Sequence, residues 1–292
     1  MKKEFIRVEP LSTYLENWKA PSSAVTRSGG RDNSISKWIA SPFERTPPSK
    51  TAMASCVRMA KEKFMFSVIF EVHPKTEQWD SYLGNAKMLR PELEQVDGFV
   101  DNIRYRSLTR EGWILSLSGW RDEKSVVRWR TRMRHHEVQE KGRSEIFLDY
   151  HLRVGQLTQD TRLPEGYALQ EQRLDETEVG AGTTVTLIDA KRPPEWVKAI
   201  SPEDVAKWLG LASNASGLVA WDVFDAVLMP GEIILLMSWR DRSTAEAFES
   251  KVSLPDGARL RRVRVVRDYG MFDRREAPQY YSDITRSNTE CP

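Results

Sequence analysis

The chain has 292 residues, 40% of them hydrophobic, which is enough for two cores of ordinary size, and its formal charge is +2. That total hides a split: residues 1–64 hold 12 Lys/Arg against 6 Asp/Glu and residues 65–292 hold 32 against 36, so the folded part is mildly acidic and offers no basic face to nucleic acid. Cys56 and Cys291 lie near opposite ends and suggest neither a disulfide framework nor a thiolate metal site, and no apolar run approaches a membrane span; a protein of the reducing cytosol is expected.

Residues 1–64 mix Ser, Pro, Gly and Arg without a hydrophobic period and read as an irregular N-terminal extension. From Met65 the pattern turns to period two, with Phe66, Val68, Phe70 and Val72 on one face of a strand. A helix follows, its stripe Trp79, Leu83, Ala86, Leu89 and Leu93 spaced by threes and fours, and Asp97-Gly98 turns out of it. Strands are expected at Phe99–Leu108 and Trp113–Trp120, a helix at Asp122 to about Arg134 and a fourth strand at Ile146–Val154, giving the β-α-β-β-α-β order of a ferredoxin-like unit.

The stretch Gly112-Trp-Ile-Leu-Ser-Leu-Ser-Gly-Trp-Arg-Asp returns in outline as Gly231-Glu-Ile-Ile-Leu-Leu-Met-Ser-Trp-Arg-Asp. The offset of 119 also carries Gly98 onto Gly217, Trp120 onto Trp239 and Asp149-Tyr150 onto Asp268-Tyr269, and internal similarity at a fixed long period argues for a tandem domain. The expected organisation is an extension (1–64), a first domain (65–156), a polar linker (157–181), a second domain (182–273) and a tail (274–292). Each unit has helices on one face of its sheet and a bare apolar other face, so the two sheets are expected to close on each other as an intrachain α+β barrel.

On the second strand, Phe99, Ile103 and Tyr105 share a parity and are expected under the helices. That parity sends Val100, Asn102, Arg104 and Arg106 into the barrel, opposite Val219, Trp221, Val223 and Asp225 of the second copy. A central pocket with one polar and one apolar wall would suit a small molecule.

Phe66-Ser-Val-Ile-Phe-Glu-Val, Leu89-Arg-Pro-Glu-Leu-Glu, Leu115-Ser-Leu-Ser-Gly-Trp-Arg-Asp-Glu, Arg134-His-His-Glu-Val-Gln-Glu-Lys-Gly and Asp149-Tyr-His-Leu-Arg-Val-Gly resemble the antibiotic biosynthesis monooxygenase family, of the dimeric α+β barrel superfamily. The resemblance is close over Met65–Gly155 and only in outline over the second copy. It implies a monooxygenase-like enzyme that oxidises a small aromatic or quinol-type substrate with O2 and no cofactor. Such chemistry needs a site for an oxyanion, a dry pocket and a group to move a proton.

Asn102 and Arg104 are candidates for the oxyanion, and His135, His136 and His151 for proton transfer. Arg106, Trp120, Trp129, Tyr150 and Trp221 are candidates for substrate binding, and no metal site is read. Haem-degrading relatives define an alternative, but their pattern of a first-strand Asn and a His about ten residues after the helix Trp is not met, since position 139 is Gln. A non-catalytic ligand-binding barrel is the third reading. Neither a nucleic acid nor a membrane partner is expected, and pairing of the chain into a homo-oligomer is left open.

Overall fold

The elements form largely where the periodicity places them. The computed structural model describes residues 61–63, 65–163, 167–171, 180–196, 200–212 and 214–273; most of the expected extension and the whole of the expected tail lie outside these. In chain order they are β1 (Lys61–Lys63), β2 (Phe66–Pro74), α1 (Trp79–Glu94), β3 (Phe99–Ser107), β4 (Ile114–Trp120), α2 (Glu123–Arg130), α3 (Met133–Lys141), β5 (Phe147–Asp160), β6 (Tyr167–Leu169), β7 (Thr184–Lys191), α4 (Pro202–Trp208), β8 (Leu218–Ala226), β9 (Glu232–Trp239), α5 (Arg242–Glu249) and β10 (Arg259–Gly270).

Eight strands close a barrel in the order β10-β5-β2-β4-β3-β8-β9-β7, and β1 pairs with β6 in a separate parallel ribbon. β5 runs on to Asp160, into the first residues of the expected linker, with its last residues paired to β10.

Both Trp-Arg-Asp segments end a strand and cap a helix. Asp122 accepts from Ser125 N and Asp241 from Thr244 N, each at 2.8 Å, which satisfies free N–H groups of the first turn. Gly98 and Gly217 carry the left-handed turns ahead of β3 and β8 (φ 88° and 78°), and a Cβ there would collide with Ser125 and Thr244 respectively. The helix expected through Arg134 is two helices. Thr131 turns its hydroxyl back on the Val127 carbonyl at 3.0 Å and Arg132 is extended, so α2 stops and α3 starts in a new direction. A wide π-type turn, Gly142–Ile146, then leads into β5.

The barrel interior is packed with side chains. Ile69, Tyr105, Leu115, Leu117, Leu157, Val185, Leu187, Phe224, Ile234, Leu236, Val263 and Val265 form one buried cluster, against which Ile103 packs. Ile103 and Tyr105 thus face the barrel, and Asn102 and Arg104 the helices, the reverse of the parity expected from sequence. The cause is a bulge between Phe99 and Asp101 on β3, matched by one between Leu218 and Ala220 on β8: one extra residue shifts the alternation, and each later side chain changes face.

Cross-strand partners fix which positions correspond in the two halves of the barrel. Phe66 pairs with Trp120 and Gln156, and Thr184 with Trp239 and Arg264. Gln156 lies 36 residues after Trp120 but Arg264 only 25 after Trp239, so the register sets Asp160, not Asp149, against Asp268. The additional residues in the first half include α3 and the wide turn.

Candidate active site

Between the β2–β5 sheet and the helices of the first half lies a chamber of about 240 Å³. Its walls are mostly apolar: Val68 and Phe70 from β2, Leu89 and Leu93 from α1, Val126 and Trp129 from α2, and Leu152 and Val154 from β5. Its floor is polar, because β3 and β4 alternate so that Asn102, Arg104, Ser116 and Ser118 share the helix face. Asn102 Nδ2 donates to Ser116 Oγ (2.9 Å) and to the Leu117 carbonyl (3.2 Å). Those bonds fix the amide, leaving Asn102 Oδ1 buried with no hydrogen-bond partner; Arg104 Nε is also buried and unpartnered among the described residues. Arg104 does donate to the phenol of Tyr82. An unused buried donor and an unused buried acceptor are costly in an empty pocket and useful in one that holds a polar group.

Five arginines (Arg90, Arg104, Arg130, Arg143 and Arg267) line the chamber, against one carboxylate, Glu123, among the described residues. Arg143, on the wide turn, is buried; it donates to the Tyr150 phenol and, at 3.2 Å, to the Met271 carbonyl. Arg267 and Tyr269 reach in from β10, with Arg267 held 2.9 Å from Glu123.

His135 stacks on Trp129 with ring centroids 4.3 Å apart, and its Nδ1 lies 3.1 Å from the Trp129 carbonyl. A carbonyl only accepts, so Nδ1 carries the proton. Burial pushes the imidazole pKa down to about 4, so the ring is neutral and Nε2 keeps its lone pair.

Of the residues expected at the site, Asn102, Arg104, Trp120, Trp129, His135 and Tyr150 line this chamber. Trp120 is a wall rather than a ligand, fully buried with Nε1 on Ser118 Oγ at 2.9 Å. Arg106 is exposed and His136 does not line the chamber. His151 faces the barrel side and bonds Asp268, and Trp221 packs in the helix-side cluster of the second half. Sequence reasoning missed Tyr82, Ser116, Ser118, Arg143, Arg267 and Tyr269. The alternation Leu115-Ser-Leu-Ser118 was the available signal for the serines, since apolar barrel positions leave the polar ones facing the helices; Arg143 and the β10 residues had none.

Of the haem-degrading pattern, Trp129 lines the chamber, while β2 presents Val68 and Phe70 rather than Asn and position 139 is a glutamine. Among the described residues, no cluster of His, Cys, Asp or Glu is arranged to hold a metal ion.

The antibiotic biosynthesis monooxygenase family model matches residues 65–141, the segment from β2 through α3. A protein of Pyricularia oryzae named jasmonate monooxygenase ABM is 50% identical over 222 residues, covering 74% of this chain and 98% of the relative. Solved structures overlap more loosely. A Fusobacterium nucleatum structure described as a monooxygenase is 10% identical over 70% of this chain and 94% of its own, with a TM-score of 0.29. An aldoxime dehydratase bound to butyraldoxime is 10% identical over 70% of this chain and 79% of its own, at 0.42. The extent of the identity to the Pyricularia protein, with the family match on the segment that builds the chamber, makes this chain a member of the antibiotic biosynthesis monooxygenase family.

Proposed function

We propose that the chain is a monooxygenase for a small, largely apolar anion, and that jasmonate, named for the Pyricularia relative, is the first substrate to try. The observation that carries this reading is the polar floor under apolar walls: Arg104 Nε and Asn102 Oδ1 are buried with no hydrogen-bond partner among the described residues, which favours an anionic oxygen on a hydrocarbon body. It revises the quinol-type substrate expected from sequence toward an acid. Arg104 holds the oxyanion, Asn102 Oδ1 accepts from the O–H of the oxygenated species that forms, and His135 Nε2 takes the proton lost when the substrate ionises. The enolate form of the substrate then reduces O2 directly, with no cofactor, forming a C–O bond to a hydroperoxide. Loss of water from that hydroperoxide leaves a carbonyl where the substrate had a CH2, 14 mass units heavier, with all four electrons from the substrate; an alcohol, 16 units heavier, forms only where an added thiol or reduced nicotinamide supplies two electrons and two protons.

We also infer that residues 65–156 and 182–273 are two copies of one unit, now unequal. The shared element order, the capped Trp-Arg-Asp corners and the paired bulges on β3 and β8 support this. The test of function is oxygen uptake and product mass with jasmonate beside a panel of quinols. A product 14 mass units heavier from jasmonate, or 16 where a reductant is supplied, supports the reading, and uptake with quinols alone overturns the substrate assignment.

A further inference from the structure

At the seam where β5 meets β10, two partly buried clusters correspond by register. Glu71 pairs across the sheet with His151, and Asp189 with Arg259; Arg153 lies opposite Asp268, and Arg261 opposite Asp160. One cluster is therefore Glu71, Arg153, His151 and Asp268, and its counterpart is Asp189, Arg261, Arg259 and Asp160. Each ties the first half to the second through a cation and a carboxylate. In the counterpart, Arg259 grips Asp160 with two bonds, 2.9 and 2.6 Å. In the first cluster a histidine stands in the arginine's place, with His151 Nε2 2.6 Å from Asp268 Oδ1 and Nδ1 3.9 Å from Glu71.

Asp268 is buried, its side chain flanked on β10 by the two residues that enter the chamber. Strand alternation turns Asp268 to the barrel and Arg267 and Tyr269 to the ligand. Two residues beyond Tyr269, Met271 donates its amide to the Tyr150 carbonyl and offers its own carbonyl to Arg143, two residues of the chamber wall. We propose that His151 is a positioning residue: through Asp268 it holds the end of β10 that forms one wall of the chamber, and its grip loosens as the imidazole loses its charge. This rests on the chamber being the ligand site.

The surrounding groups decide the sign. Glu71 faces His151 from β2, Arg153 lies beside it on β5, and Asp268 lies across on β10. Arg110, from the β3–β4 turn, bonds Glu71 and Asp222 of β8; His73 and Asp149, one pairing step further out, complete the shell. Burial alone would raise the carboxyl of Asp268, but the bond and charge of His151, with Arg153, hold it below its usual range, and Glu71 is likewise held down. Both partners of the ring therefore stay anionic at neutral pH. The charged pair is complete while the imidazole is protonated, and it weakens to a neutral hydrogen bond once that proton is lost. Arg259 makes no such change.

Hydrogen exchange of the Met271 amide and its neighbours, corrected for intrinsic rates, tests this on the full chain. In the parent protein, exchange at residues 267–271 is expected to be about fivefold faster at a pH where NMR shows the His151 ring neutral than at one where it shows the ring charged, the difference between a charge-assisted and a neutral hydrogen bond. His151→Arg is expected to stay slow at both pH values and His151→Gln fast at both. KM for jasmonate should follow the same pattern while kcat stays level. A pH response in His151→Gln equal to that of the parent, or none in the parent, overturns the proposal. Failure of jasmonate to bind overturns the functional reading alone, because the exchange data need no ligand.

Discussion

The helix-covered faces of the two halves differ most where their backbones agree best. In the first half Asn102 lies opposite Ser118 and Arg104 opposite Ser116; at the corresponding register in the second half Trp221 lies opposite Met237 and Val223 opposite Leu235. Four small or polar side chains thus answer to four apolar ones. In the second half Trp221, Val223, Leu235 and Met237 pack with Val205, Leu209 and Trp239, and Phe248 closes on Trp239 at 5.0 Å. In the first half the matching space stays open, roofed by α3 and the wide turn that the second half lacks. One backbone plan therefore serves as a vessel on one side and a support on the other. The support still reaches the vessel, since β10 supplies Arg267 and Tyr269.

The most damaging way to erase this difference is to give the vessel the support's residues. Ser116→Leu should fill the chamber floor, displace Arg104 and abolish substrate binding while the barrel stays folded, as circular dichroism and a binding titration would show. Arg104→Ala, which removes the proposed oxyanion partner, is expected to lower kcat/KM on the order of 100-fold, the scale of a lost charge-assisted bond in a dry site. A fall of less than threefold would remove Arg104 from the proposed mechanism.

The reverse exchange, Leu235→Ser in the support, should cost about 3–5 kcal/mol in denaturant unfolding, because it leaves a cavity and buries a hydroxyl, and should give no second active site. Smaller is the effect of acid. His135 is depressed to about 4, so its base form persists below the usual range of histidine, and the acid limb of kcat/KM should fall near pH 4 rather than near 6.5. The sign for stability follows. The unfolded chain binds that proton first, so the contribution of a neutral buried His135 is complete above about pH 6.5 and declines toward pH 4.

How much of this the sequence disclosed depends on what each residue reports. Strand order, both Trp-Arg-Asp corners and the helix stripes were legible, because alternation, capping and spacing are local and repeat along the chain. The assignment of faces on β3 was not, because a bulge is a one-residue event that leaves no compositional mark at Val100 or Val219, yet inverts every later side chain. Asn102 and Arg104 were found for the wrong space: polar residues on an apolar strand stand out, but which sheet face they serve depends on that bulge. Arg143, Arg267 and Tyr269 come into the site through the wide turn and the far end of β10, a juxtaposition made only when the barrel closes. The counterpart of Asp149-Tyr150 was misread for a related reason. The second half is shorter between its last helix and strand, so equal numbering offsets there do not mark equal positions.

Calorimetric titration with jasmonate addresses the claim that this chain keeps its ligand under the helices of the first half and nowhere else. One molecule per chain is the predicted result, lost in Ser116→Leu and kept in Leu235→Ser under conditions where that variant is folded. Two molecules per chain, or binding that survives Ser116→Leu, would contradict it.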